Sequence, residues 1–310
     1  GPFVIEGDEY DTAFFDKRSK FVHYRPKTLV LGNLEYDHAD IFPDLAAIQR
    51  QFHHLLRCVP GNGRILRPRN CGALDAVEAM GCWTPVERWS LAGPGEAPEA
   101  AEWQGRMESG DGARLSVRGP GGEAGRGALP LPGRHNASNA LAAVAAAAHA
   151  GVAAEQALAA LERFRGVKRR LELLGEVAGV RLYDDFAHHP TAIAATLGAL
   201  RARGGGGRLL ALVEPRSNTM RMGRHRESLA ASVADADRVY WYQPPGMDWS
   251  LDDVAAAGTV PASVSDDVER LVATVVGEAQ QGDQIVIMSN GSFAGIHQRL
   301  LDALRSVHGA

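Results

Sequence analysis

Apolar and polar positions fall into runs whose period changes along the chain. Leu45, Ile48, Phe52, Leu55, Leu56 and Val59 recur three and four residues apart, which predicts an amphipathic helix capped by Asp44 and ending before Pro60-Gly61. Apolar stretches from Phe3 to Glu6 and from Thr28 to Leu34 predict strands. Trp103 to Met107 and Arg114 to Val117, joined through Ser109-Gly110-Asp111-Gly112, predict a β-hairpin, and the glycine-rich 120s predict a surface loop. Alanine-rich helical patterns cover Asn136 to His149 and Ala154 to Phe164.

From Val180 onward short apolar strands at Val180 to Tyr183, Leu209 to Val213, Val239 to Tyr242 and Ile285 to Met288 alternate with helical segments. The helices are predicted at Pro190 to Arg201, Arg224 to Ala234, Asp266 to Ala279 and Phe293 to Val307. Such alternation builds a parallel sheet covered by helices on its faces. A boundary near Gly166 then divides the chain into two α/β units, 1–166 and 167–310, and no fixed-period repeat is present.

Composition narrows the function classes. A length of 310 residues accommodates two domains, and 45% hydrophobic with 23% charged residues is the ordinary globular balance, which excludes wholesale disorder and fibrous repeats. The net charge of −4 gives no global reason to bind nucleic acid, so a small molecule or a protein is the expected partner. The apolar run Leu141 to Ala148 falls far short of the roughly 18 to 20 residues that span a bilayer, so no membrane segment is expected. Three cysteines, Cys58, Cys71 and Cys82, without a C-x-x-C pair indicate neither a disulfide framework nor a zinc knuckle, and point to the cytoplasm.

Candidate chemistry gathers at strand ends. Glu6 closes one predicted strand and His38 follows another; a carboxylate and an imidazole so placed could hold a divalent metal with positions open to water and phosphate, or form a solvated turn beside a structural histidine. Asn136 and Asn139 open an alanine helix, which they could cap, or their amides could read a purine edge. Val167-Lys168-Arg169-Arg170 offers three cations suited to a polyphosphate or to a solvated hinge. Tyr183-Asp184-Asp185-Phe186-Ala187-His188-His189-Pro190 sets two aspartates and two histidines between a strand and a helix that Pro190 can open, more polar groups than packing explains. Glu214-Pro215-Arg216-Ser217-Asn218-Thr219-Met220-Arg221 follows the next strand and Ser289-Asn290-Gly291-Ser292 the last; Arg216 and Arg221 could each grip a carboxylate in bidentate fashion, which suits an acidic substrate.

Four strings carry a family resemblance: Glu6-Gly7-Asp8-Glu9-Tyr10-Asp11, Asn33-Leu34-Glu35-Tyr36-Asp37-His38-Ala39-Asp40, Gly133-Arg134-His135-Asn136-Ala137-Ser138-Asn139-Ala140, and the Tyr183 to Pro190 segment. In wording, order and spacing the chain resembles the Mur ligases over nearly its whole length. The resemblance implies a central ATPase-type α/β domain followed by a Rossmann-like α/β C-terminal domain, using ATP and Mg2+. It also implies a reaction in which ATP phosphorylates a muramyl carboxylate and an amine displaces the phosphate. By matching position, Glu6 and His38 would serve magnesium and catalysis, His135, Asn136 and Asn139 the adenine side, Arg170 the phosphates and Asp185 the ribose. His188, Arg216, Ser217, Asn218 and Arg221 would meet the incoming peptide. Phe14-Phe15-Asp16-Lys17-Arg18-Ser19-Lys20 and Gln49-Arg50-Gln51-Phe52-His53-His54-Leu55 resemble the branch that joins UDP-N-acetylmuramate to the murein tripeptide L-alanyl-γ-D-glutamyl-meso-diaminopimelate in peptidoglycan recycling. The alternatives are the branch that adds L-alanine, which shares His188-His189-Pro190, and a module that binds a muropeptide or nucleotide without chemistry.

Two departures shape the expectation. The family's ATP use needs a G-x-x-x-x-G-K-[ST] loop, and none of Lys17, Lys20, Lys27 and Lys168 follows a glycine. Nor does the segment Asp44 to Arg57 contain the lysine that some members carbamylate. The expectation is therefore an N-terminally truncated Mur ligase: residues 1–166 as the later part of the central domain without its phosphate loop, 167–310 as the peptide-substrate domain, and no catalysis by this chain alone.

Overall fold

In a computed structural model that describes residues 1–308, the chain divides into two compact units. Gly1–Pro130 with Arg134–Phe164 form the first, and Leu131–Gly133 with Arg165–Ala310 the second.

The first unit runs through β1 (Asp11–Ala13), β2 (Asp16–Ser19), β3 (Thr28–Val30), α1 (Leu45–Leu56), β4 (Arg64–Pro68), α2 (Gly72–Ala79), β5 (Val86–Ala92), β6 (Trp103–Met107), β7 (Arg114–Gly119), β8 (Gly122–Ala128), α3 (Arg134–His149) and α4 (Ala154–Leu161). β1 and β2 make a small hairpin; β3 to β8 form one sheet in chain order, parallel from β3 to β6 and antiparallel through β7 and β8. Successive strand residues face opposite sides, so Ile65 joins Ile48, Leu55, Leu74 and Val77 under α1 and α2, while Leu66 joins Trp89, Leu115, Leu141 and Leu158 under α3 and α4. Asp44 caps α1 as expected, accepting the Ala47 N–H at 2.7 Å.

Three expectations change. Residues 3–6 are not a strand: Phe3 and Val4 are 87% and 89% exposed, and among the described residues the segment closes no ladder hydrogen bonds, without which an apolar extended stretch is not a strand. The run from Thr28 pairs only as far as Val30. The glycine-rich 120s, expected as a loop, form β8: a Cβ at Gly127 would stand 3.3 Å from Leu158, so its glycines let α4 lie directly on the strand.

In the second unit the order is β9 (Glu172–Val177), β10 (Val180–Asp185), α5 (Pro190–Arg203), β11 (Leu209–Val213), α6 (Asn218–Arg221), α7 (Arg226–Ser232), β12 (Arg238–Tyr242), α8 (Leu251–Ala257), β13 (Ala262–Ser265), α9 (Val268–Glu278), β14 (Gln284–Met288) and α10 (Ile296–His308). The sheet order is β13-β12-β11-β14-β10-β9, parallel except where β9 runs against β10. Leu209, Ala211 and Val213 meet Ile193, Leu197 and Leu229 on one face, and Leu210 and Leu212 meet Leu271, Val275 and Leu300 on the other. Strands buried on both faces read as unbroken apolar runs, which is why this half was legible.

Chain direction then locates a site. β11 leads away toward β12, whereas β14 leads into α10, whose Leu301 packs over Gly175 of β9 on the opposite side. The order reverses between β11 and β14, and open parallel sheets bind ligands at that reversal. Register aligns Asp185, Met288 and Val213 in one row, so Phe186, Ser289 and Glu214 leave the sheet from the same edge.

Candidate active site

Helix α3 begins at Arg134, directly after Gly133 at φ +104°, so neither Asn136 nor Asn139 is its cap. Arg134 Nη2 donates to Leu91 O at 2.5 Å and Trp89 Nε1 donates to Ser138 Oγ at 3.0 Å, which fixes the first turns of α3 at the end of β5. Ala137, Leu141 and Val144 point into the core. His135 and Asn139, four apart, and Asn136 and Asn139, three apart, share the other side, with His135 and Asn136 half-buried and Asn139 exposed.

His38 lies beyond β3 in a left-handed conformation, φ +55°. Its N–H donates to Asp37 Oδ1 at 2.7 Å, its Nε2 lies 2.5 Å from Glu9 Oε1, and the Tyr10 ring tilts against it at 4.5 Å between centroids. Burial pushes the imidazole pKa down, but the Glu9 contact and the charges of Glu9, Asp37 and Asp40 outweigh it and leave the ring with a raised pKa. The structure brings Glu9 to His38, not Glu6, which is exposed. The β1–β2 hairpin causes this: Ser19 Oγ donates to Glu9 O at 2.7 Å and Lys20 N to Tyr10 O at 2.9 Å, holding residues 9 and 10 while 3–6 stay outside any sheet.

In the second unit the end of β10 is tied into a network. Asp184 is buried, with Oδ2 accepting from Arg169 Nε at 3.1 Å and Oδ1 lying 3.0 Å from His297 Nε2. Desolvation alone would raise its pKa; the hydrogen bond and charge of His297, with those of Arg169, win and hold the carboxyl below its usual range. Arg169 also donates through Nη2 to Ser289 O at 2.7 Å and Gly291 O at 2.9 Å. Arg169 at φ +59° and Leu171 at φ +48° sit in the left-handed region that side chains disfavour, a cost these contacts offset. Arg170 is exposed, its guanidinium 5.4 Å from the Phe186 ring centre.

Asp185 is 4% exposed, and both its oxygens are engaged by the protein. Oδ1 takes Ala187 N at 2.8 Å and Thr196 Oγ1 at 3.1 Å, and Oδ2 takes Leu171 N at 2.7 Å, an occupation different from the ribose contact that the resemblance implies. His188 Nδ1 lies 3.0 Å from Phe186 O. His189 caps α5 with Pro190 in its first turn, as anticipated, and its ring stands edge-on to His225 at 4.2 Å.

At the reversal, Glu214 and Ser289 meet: Ser289 Oγ donates to Glu214 Oε2 at 2.5 Å and accepts Gly291 N–H at 2.9 Å. Arg216, exposed, lays its side chain across Gly291, where a Cβ would stand 2.5 Å from Arg216 Cδ. Ser217 caps the short α6, taking Met220 N at 3.3 Å, and Asn218 is exposed on it. Arg221 spends Nη2 on Gly246 O at 2.9 Å and Pro245 O at 3.3 Å, bracing the loop that leads to Trp249. So Arg216, Ser217, Asn218 and the row of Glu214 and Ser289 come together, and Arg221 is partly committed to that loop.

Residues 3–147 match the profile of the Mur ligase middle domain, and 169–291 that of the Mur ligase glutamate ligase domain. The chain belongs to the Mur ligase family. The Mur ligases to which it is similar include the UDP-N-acetylmuramate–L-alanyl-γ-D-glutamyl-meso-2,6-diaminoheptandioate ligase of Escherichia coli K12, 54% identical over 97% of this chain and 65% of that protein. A UDP-N-acetylmuramate–L-alanine ligase of Mycolicibacterium smegmatis is 34% identical over 98% of this chain and 63% of its own length. Among solved structures, a murein peptide ligase from Psychrobacter arcticus 273-4 superposes with a TM-score of 0.70 at 45% identity, covering 97% of this chain and 62% of that one. The chain thus spans about 65% of the length of the E. coli Mur ligase it matches.

Sequence reading of this Mur ligase missed Glu9, Arg169 and His297 as partners and assigned Glu214 no role. Glu214 carried a signal, as the first polar residue after five buried apolar ones. His297 carried none, since it stands 113 residues from Asp184 on an ordinary amphipathic helix.

Proposed function

We propose that this chain is the part of an ATP-dependent ligase that joins UDP-N-acetylmuramate to L-alanyl-γ-D-glutamyl-meso-diaminopimelate through an acyl phosphate, in peptidoglycan recycling in the cytoplasm. The observation that carries the reading is the 54% identity to a protein named for that reaction, against 34% to one named for L-alanine addition. Among the described residues no helix is long and apolar enough to cross a membrane.

In this reading His135, Asn136 and Asn139 present amides and a ring to the adenine, and Arg170 gives a guanidinium to the phosphates. Asp185 serves the ribose side by holding the Leu171 and Ala187 backbone beside it. His188, Arg216, Ser217, Asn218 and Arg221 receive the acidic tripeptide, whose carboxylates suit guanidinium forks. Among the described residues no three His, Cys, Asp or Glu side chains converge into a metal cage. Magnesium needs no such cage, since it keeps waters and takes one or two carboxylates beside substrate phosphates; the exposed Glu6 would offer it a carboxylate, while His38 Nε2 is held by Glu9. When bound, the ion would neutralise charge on phosphate oxygens.

Phosphate release by the full-length protein with ATP and UDP-N-acetylmuramate tests the reading. The tripeptide should support turnover and L-alanine should not; the reverse preference would overturn the acceptor assignment. The 310-residue chain alone, with no G-x-x-x-x-G-K-[ST] loop, is expected to release no phosphate, and robust turnover by it would refute its incompleteness.

A further inference from the structure

Glu214 is a buried carboxylate at the reversal of the second sheet, 5% exposed, and among the described residues no lysine, arginine or histidine forms an ion pair with it. Among the described residues its one side-chain partner is Ser289, whose hydroxyl donates to Oε2 and is oriented for this by the Gly291 N–H. Oε1 accepts no protein hydrogen bond among the described residues and keeps some access to solvent. Next to Ser289, Asn290 Oδ1 is also buried without a donor. A buried acceptor is as a rule satisfied by some donor, and a carboxylate this little exposed and held by one hydroxyl is open to a cationic partner. Acceptor capacity on two adjoining strand ends, with no cation paired to it among the described residues, suits a ligand that donates several N–H groups and carries positive charge.

The neighbouring group is of opposite sign. Arg216, two residues on, lies across Gly291 with its guanidinium exposed. A carboxylate beside an exposed guanidinium is the complement of a zwitterion, an ammonium on one side and a carboxylate on the other.

We infer that Glu214, held by Ser289, is the subsite for the ammonium group of the acceptor amine, with Asn290 as a second acceptor for its N–H groups. This rests on the ligase reading above and adds to it a residue that selects an amine with a free, charged N-terminus. The test is Glu214→Gln in the full-length enzyme, which keeps the shape and a hydrogen bond to Ser289 but removes the charge. A hydrogen bond to a charged group is worth enough that the acceptor KM should rise roughly tenfold to a hundredfold. The KM values for ATP and UDP-N-acetylmuramate should stay within about twofold, since the charge–dipole loss is local. A tripeptide analogue with hydrogen in place of the α-amino group, used as a competitive inhibitor, should bind wild type and E214Q alike.

An unchanged acceptor KM would overturn the inference, as would equal weakening of the amine and its deaminated analogue, which signals a packing defect. If the wild type prefers L-alanine, the acceptor assignment fails but the same comparison with L-alanine still decides the role of Glu214. If it ligates neither amine, calorimetric titration of the tripeptide into wild type and E214Q reads the same difference in affinity.

Discussion

Replacing Arg169 with alanine removes three hydrogen bonds at once, at 3.1 Å to Asp184, 2.7 Å to Ser289 O and 2.9 Å to Gly291 O. A bond to a charged group contributes roughly 1.5–3 kcal/mol and a neutral one about 0.5–1.5 kcal/mol, with the lower ends apt where the group is partly solvated. The Arg169 side chain is 25% exposed, and His297 remains on the other Asp184 oxygen, so the buried acid is not left alone. The expected loss is about 2–4 kcal/mol, below the cost of a fully orphaned buried ion. Two units need not unfold together, so global melting is the wrong readout; amide hydrogen exchange on peptides covering β10 and β14 reports the local opening energy. Protection there should fall roughly 30- to 1000-fold. In an Asp184→Asn background the added loss from Arg169→Ala should shrink, because the charge partner is gone. Protection within about threefold of wild type, or the same loss in both backgrounds, would refute the clamp as the source of stability.

Tyr240, buried with its hydroxyl donating to Glu278 Oε2 at 2.7 Å, has its pKa pushed up to about 12 by burial and then by that carboxylate. The folded state therefore holds the proton longer than the unfolded one: the stabilisation is complete below about pH 10 and is lost as pH rises through the folded value, so in absorbance at 295 nm Tyr240 should ionise late, and disappearance of the late step in Tyr240→Phe checks the assignment. Gly291→Ala introduces a methyl into the space taken by Arg216, a flexible side chain that can swing away. The fold should tolerate it, with amide protection of the β10 and β14 peptides within about threefold of wild type, while the acceptor KM rises; an unchanged KM would separate Arg216 from acceptor binding.

Much of the fold was legible from the chain. The short apolar runs Leu209 to Val213 and Ile285 to Met288, alternating with helical segments, read as strands covered on both faces, and the spacing from Leu45 to Val59 buries one side of a helix. Family motifs placed His38, Asn136 and Asp185 near strand and helix ends because loops after parallel strands carry the polar groups there. The errors were equally physical. Phe3 to Ile5 has the composition of a strand, but a strand also needs a neighbour's hydrogen-bonding edge, which no local pattern encodes. The glycines of β8 looked like a loop because the reason for them, the close approach of Leu158, lies on another element.

By itself, then, the sequence determined the α/β class, the family and which segments bear the chemistry, since these follow from periodicity and from contiguous motifs. Only the tertiary structure decided partners. Glu9 rather than Glu6 reaches His38 because a hairpin holds it there, His297 reaches Asp184 from 113 residues away, and strand order puts Glu214 beside Ser289. Hydrogen bonds and charge pairs act over a few ångströms, and distance in space is fixed by sheet order and register rather than by position along the chain.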